Sequence, residues 1–135
     1  MKASFALALV ALVGCINTPC LTPPPTSTQQ QRDIIVGLSA KFDAIPITPS
    51  LQTDFKQVVN MAYAQLNDVN TAYYIGLQAA LCFADKGKWG RDVAGQILRD
   101  LEADWKARSG NTSPAAHPQA AQIQAIKDAV AVPPK

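Results

Sequence analysis

"LQTDFKQVVNMAYAQLNDVNTAYYIGLQAALCFAD", Leu51 to Asp85, decides the fold. Leu51, Phe55, Val58, Ala62, Leu66, Val69, Tyr73, Leu77, Ala80 and Ala84 follow one another by threes and fours. Residues at that spacing share one face of an α-helix, whereas a half-buried strand alternates every second residue. The mean step lies slightly above 3.6 residues, so the pattern predicts one long helix from about Pro49 to Asp85 without a heptad supercoil. Thr48 followed by Pro49 supplies the start, and Lys86 followed by Gly87 supplies the stop. The polar cluster Asn67 to Asn70 is the weakest point, where a break would give two helices in place of one.

The same signals extend outward. On the N-terminal side, "TSTQQQ" offers capping-box spacings such as Thr28 to Gln31, ahead of Ile34, Ile35, Leu38 and Phe42 at helical intervals. Pro46 obliges that helix to stop near Ala44. On the C-terminal side, a helix from about Trp89 to Ser109 aligns Val93, Ile97, Leu98, Leu101 and Trp105, with Glu102 to Lys106 and Asp104 to Arg108 as exposed pairs four apart. Gly110 ends it, and "NTSPAAH" leads to a short helix from about Pro118 to Val130 carrying Ile123, Ile126 and Val130. The expected fold is all-α: an antiparallel bundle of about three helices over residues 29–110, then a linker and a loosely attached C-terminal helix over residues 111–135. With 135 residues, 48% of them hydrophobic, one domain is expected.

The first residues belong to a different kind of segment. Met1 and Lys2 precede "ASFALALVALV", Ala3 to Val13, an apolar run too short for the roughly 20 residues of a membrane-spanning helix but suited to an export signal. "LVGC", Leu12 to Cys15, resembles the lipobox of bacterial lipoprotein precursors. The resemblance implies that residues 1–14 are a signal peptide cut between Gly14 and Cys15, that Cys15 carries a diacylglycerol on its sulfur and an acyl chain on its freed amine, and that residues 15–28 are a lipidated cysteine followed by a Pro/Thr-rich linker. Multiple chains matter because each buried methylene contributes about 0.8 kcal/mol, so one chain anchors only marginally. Ile16 stands where many inner-membrane lipoproteins carry aspartate, which implies the outer membrane, facing the periplasm. "CINTPCLTPPP" is also similar to the start of phage outer-membrane spanin subunits, which implies a lysis or exclusion role; the long helical body departs from that pattern.

Lipidation would resolve the odd number of cysteines. Three cysteines in an oxidising compartment leave one over if two pair. With Cys15 lipidated, Cys20 and Cys82 remain. They can join within the chain, which would stabilise the fold by roughly 4 kcal/mol in the chain-entropy model; Cys20 can instead join a second chain, or both can stay as thiols. The first arrangement leaves only Ile16 to Pro19 between lipid and body, a reach of about 15 Å. The others leave a proline-rich spacer of roughly 3.1 Å per residue.

The remaining candidates point to binding, not catalysis. "AYYIGLQAALCFA", Ala72 to Ala84, is apolar nearly all round, as a central helix would be. The side bearing Ile75, Ala79 and Cys82 lies opposite the main stripe and is a candidate interaction surface for the N-terminal linker, a second copy or a partner. "KGKWGR" sets Trp89 among cations, a pattern suited to a headgroup or glycan contact as well as to a core cap at a helix turn. Tyr73 and Tyr74 read as core. His117, the one histidine, reads as a surface residue in a linker. Asp100, Glu102 and Asp104 read as a solvated face. No metal-ligand, nucleotide-loop or nucleophile motif is present, no cofactor is called for, and no catalytic set can be assembled. A net charge of +2, with charges interspersed, gives no stripe that would track nucleic acid. The expected function is that of a lipid-anchored, non-enzymatic accessory or scaffold protein of the cell envelope, with an envelope protein or a second copy as partner.

Overall fold

The structure, a computed structural model, describes residues 20–132. The expected signal peptide over residues 1–14, the expected cut between Gly14 and Cys15, and the stretch Ile16 to Pro19 lie outside the described residues. Those described form an all-helical fold of five α-helices: α1 (Gln29–Asp43), α2 (Leu51–Leu66), α3 (Val69–Asp85), α4 (Arg91–Ser109) and α5 (Ala120–Ala131), with a 3₁₀ turn at Pro114–Ala116 before the last. No strand occurs among them.

Local chemistry sets the boundaries. Thr28 and Gln31 form the expected capping box at the start of α1, each side chain accepting from the other's backbone N–H at 3.1 and 2.9 Å. α2 begins two residues later than the Thr48–Pro49 signal, because Thr48 Oγ1 accepts from the N–H of Ser50 and so stays in the turn that precedes the helix. The long helix expected from Pro49 to Asp85 is two helices. Asn67 adopts the left-handed conformation at φ 53°, which asparagine tolerates better than most residues. Asp68 then caps α3, accepting from the N–H of Asn70 and of Thr71 and from the Thr71 hydroxyl. The apolar stripe continues on both sides of a two-residue joint, which is why the sequence period alone does not reveal the break. Gly87 and Gly110, both at φ 76°, mark the ends of α3 and α4.

α3 is the central element, packing against α1, α2, α4 and α5. Two aromatic groups fill the core near its two ends. At the C-terminal end, Phe42, Phe55, Phe83 and Trp89 bring together residues of α1, α2, α3 and the turn before α4, with ring centroids 4.9 to 6.2 Å apart. At the N-terminal end, Tyr73 stacks on Trp105 at 5.1 Å, and His117 lies 5.6 Å from each ring. The C-terminal helix is not loosely attached: Ile123, Ile126 and Val130 are buried in the same core, because α5 lies against both α3 and α4.

Candidate functional site

The sequence leads first to the cysteines. Cys20 and Cys82 are joined in a disulfide with their Cα atoms 5.5 Å apart, closing a separation of 62 residues. The bond straps the residues before α1 onto α3. Leu21 is buried beside it, and the Thr22 N–H donates to Gln78 Oε1 at 2.9 Å, one helical turn from Cys82. Around the strap, the turn Lys86–Trp89 is spent on holding helices together. Lys86 pairs with Asp43 at 3.2 Å. Lys88 sends its ammonium back to α1, where it donates to the carbonyls of Phe42, Asp43 and Ile45 at 3.5, 3.3 and 3.0 Å while lying 4.5 Å from the Phe83 ring centroid. Burial pushes its pKa down, against the opposing pull of Asp43.

The surface expected at Ile75, Ala79 and Trp89 is internal. Ile75 and Ala79 have no exposed area, and Trp89 is 8% exposed with its Nε1–H donating to the Ala80 carbonyl at 3.1 Å. The physical reason is the helix count. With α2 and α3 as separate elements, four neighbours surround α3 and cover the side opposite its main stripe. Trp89 accordingly closes the core at a helix turn and offers no indole to a headgroup or glycan. Cys82, on the same side, meets the N-terminal strap.

His117 is likewise corrected: it is buried, at 3% exposure. Its Nδ1 accepts from the Gln119 N–H at 2.9 Å, which leaves the ring hydrogen on Nε2, and Nε2 donates to the Asn70 carbonyl at 2.8 Å. Asn70 in turn accepts from the Trp105 indole at 2.9 Å through its side-chain oxygen. The arrangement requires a neutral imidazole, and burial lowers its pKa, partly offset by the Asn70 carbonyl and by Asp68. A histidine before proline, in a segment without periodicity, carries no signal of burial, so the sequence offered no way to find this contact. Nearby, the hydroxyls of Tyr63 and Tyr73 are buried without a partner. Burial, with Asp104 adding to it against Arg108, pushes Tyr63 up to about 12, and burial raises Tyr73 as well, so neither serves as a base near neutral pH.

Three of the four acidic residues of α4 are engaged in ion pairs, Asp92 being the exception among the described residues. Asp100 meets Lys56, Glu102 meets Lys106 and Lys127, and Asp104 meets Arg108, including both of the expected pairs four apart. Burial alone would raise the pKa of Glu102, but the hydrogen bonds from Lys127 and Lys106 outweigh it and hold the carboxyl below its ordinary value. A groove of about 690 Å³ runs between α4 and α5, lined by Arg91, Arg99, Glu102 and Lys127 over Leu98 and Val130. Several of its charges already have partners: Glu102 holds Lys127, and Arg91 binds Asp85 and the Ala129 carbonyl, whereas Arg99 donates to the neutral Gln96 and Asp92 has no ion pair among the described residues. No serine, cysteine, histidine or tyrosine lines it. Among the described residues no cluster of three His, Cys, Asp or Glu side chains could hold a metal ion, and no helix is long and apolar enough to cross a membrane.

In comparison with known proteins, the chain matches no family model, no curated protein and no solved structure.

Proposed function

We propose that this chain is a lipid-anchored protein of the bacterial cell envelope, held through Cys15 at the outer membrane on its periplasmic side, whose helical body acts as an accessory or scaffold and not as an enzyme. One observation supports the reading above the rest. The Cys20–Cys82 disulfide uses two of the three cysteines, as an exported domain would, and leaves over the cysteine that the lipobox would modify. The helices are read as an antiparallel bundle, since α2 and α3 pack together across a joint of only two residues. The spanin-like alternative needs Cys20 for a bond between chains, and the intrachain bond takes that sulfur.

Peptide mapping of the membrane fraction by mass spectrometry, run without reductant, tests the reading. The expected result is acylated Cys15 at the mature N-terminus and a Cys20–Cys82 cross-linked peptide, with Cys15→Ala moving the protein to the soluble fraction. An unmodified Cys15 in a membrane-free protein would overturn it, and a Cys20–Cys20 peptide would revive the spanin-like alternative.

A further inference from the structure

The loop between α1 and α2 carries one of three exposed large hydrophobic side chains among the described residues; the others are Val36 on α1 and Val132 just after α5. Ala44 to Ser50 contains no charged residue. Ile45 turns inward, but Ala44, Pro46, Thr48 and Pro49 are exposed, and Ile47 is 69% exposed. Two contacts fix where this loop stands. Lys88 Nζ reaches the Ile45 carbonyl at 3.0 Å, two residues before Ile47. Asp43, just before the loop, pairs with Lys86, and its Oδ1 lies 3.9 Å from the Cys20 sulfur. The uncharged loop and the disulfide strap therefore share one end of the molecule.

We propose that this loop, with Ile47 at its tip, is the face that the body lays on the lipid surface. The inference rests on the anchor reading. If Cys15 carries the lipid, only Ile16 to Pro19 separate the bilayer from Cys20, and a fully extended chain of that length reaches about 15 Å. The strap then keeps the end bearing Cys20 close to the headgroups, and the exposed apolar tip on that end enters the boundary between headgroups and acyl chains. The contact is chiefly apolar: Lys86 pairs with Asp43 and Lys88 is turned back onto helix carbonyls, which leaves the exposed Lys41 in the last turn of α1 as the cation near the loop without an ion pair among the described residues. The opposite end of the body, around Asn70 and His117, lies away from this surface. Asn70 and Cys82 are separated by twelve residues of α3, roughly 18 Å.

The test uses the full chain, purified with its lipid and placed in phosphatidylcholine vesicles with or without brominated acyl chains, which quench tryptophan only at short range. Two variants add a probe to the buried Trp89 and Trp105 of the parent, whose signal is subtracted: Ile47→Trp at the loop and Thr112→Trp at the opposite end. Flotation with the vesicles reports the anchor separately. The expected result is that the added signal at position 47 falls by about two-fold in brominated vesicles, as for a side chain at the acyl boundary, while that at position 112 does not change. The loss should persist in high salt. Vesicle-bound protein quenched at neither position, or at position 112 alone, would overturn the docking face and leave the anchor standing. Protein that fails to float would overturn both.

Discussion

The segments before and after the central helices are both fastened to α3, at opposite ends and by opposite chemistry. Near the C-terminal end of α3, the segment before α1 is held by a covalent bond between Cys20 and Cys82, backed by Leu21 and by the Thr22–Gln78 hydrogen bond. Near the N-terminal end, the segment leading to α5 is held by a neutral histidine that bridges the Asn70 carbonyl and the Gln119 N–H, and α5 itself is pinned to α4 by Lys127 on Glu102 and Arg91 on the Ala129 carbonyl. The first fastening is expected to respond to reductant and not to mild acid, and the second to protons and not to reductant. We propose that they act as two independent points of release.

The largest expected effect comes from cutting the covalent one. Replacing both cysteines, Cys20→Ala with Cys82→Ala, should lower unfolding stability by about 4 kcal/mol on the chain-entropy account, read as a lower denaturant midpoint. Reduction of the native chain should raise hydrogen exchange around residues 20–28 while leaving α5 protected. Exchange rising first in α5 would break the proposed independence.

Next comes the histidine. His117→Ala leaves the Gln119 N–H and the Asn70 carbonyl without their partner and opens space beside Tyr73 and Trp105, at a cost of about 2 kcal/mol. The native protein should also lose stability in acid. Burial holds the folded imidazole below its ordinary 6.5, so the unfolded chain takes up the proton first. The histidine's contribution is therefore complete above about pH 6.5 and is lost as pH falls through the depressed folded value. Glu102, whose folded pKa is also lowered, contributes above its ordinary 4.5 and loses that contribution at lower pH still. Denaturant midpoints measured from pH 7 downward should show the upper step vanish in His117→Ala and the lower one remain. A profile unchanged by the substitution would remove the histidine from the account.

The smallest effect is expected for the ion pair. Lys127→Met removes a partly exposed partner of Glu102, which keeps Lys106, so the loss should be about 1 kcal/mol or less and should shrink in salt.

These two fastenings also show what was legible in the sequence. The cysteine count made the Cys20–Cys82 pairing one of three open choices, and the capping box at Thr28 and the pairs four apart on α4 stand where the spacing placed them. Such features depend on residues close in sequence or on simple parity. The break at Asn67 was visible only as a weak point, because apolar periodicity survives a joint that costs two residues. The interaction surface expected at Ile75 and Ala79 came with the unbroken helix, since one helix fewer left a face uncovered, whereas the core cap at Trp89 was one of the two readings its pattern allowed. His117 and Lys88 were out of reach for another reason. Each is placed by a carbonyl more than 40 residues away, and no local pattern encodes such a partner.

The two-residue joint at Asn67 and Asp68 also determines how copies of this protein would exchange parts. Straightening it would join α2 and α3 into one rod from Leu51 to Asp85, about 50 Å long, carrying residues 20–66 of one chain onto the body of another. Alanine at both positions removes the left-handed asparagine and the aspartate cap that now oppose the straight form. In such an exchanged pair, Cys20 would find Cys82 of the other copy, and the strap would become a covalent link between chains. A non-reducing gel of the Asn67→Ala, Asp68→Ala variant should then show a dimer band that reductant removes, built from the same sulfur atoms that close the monomer.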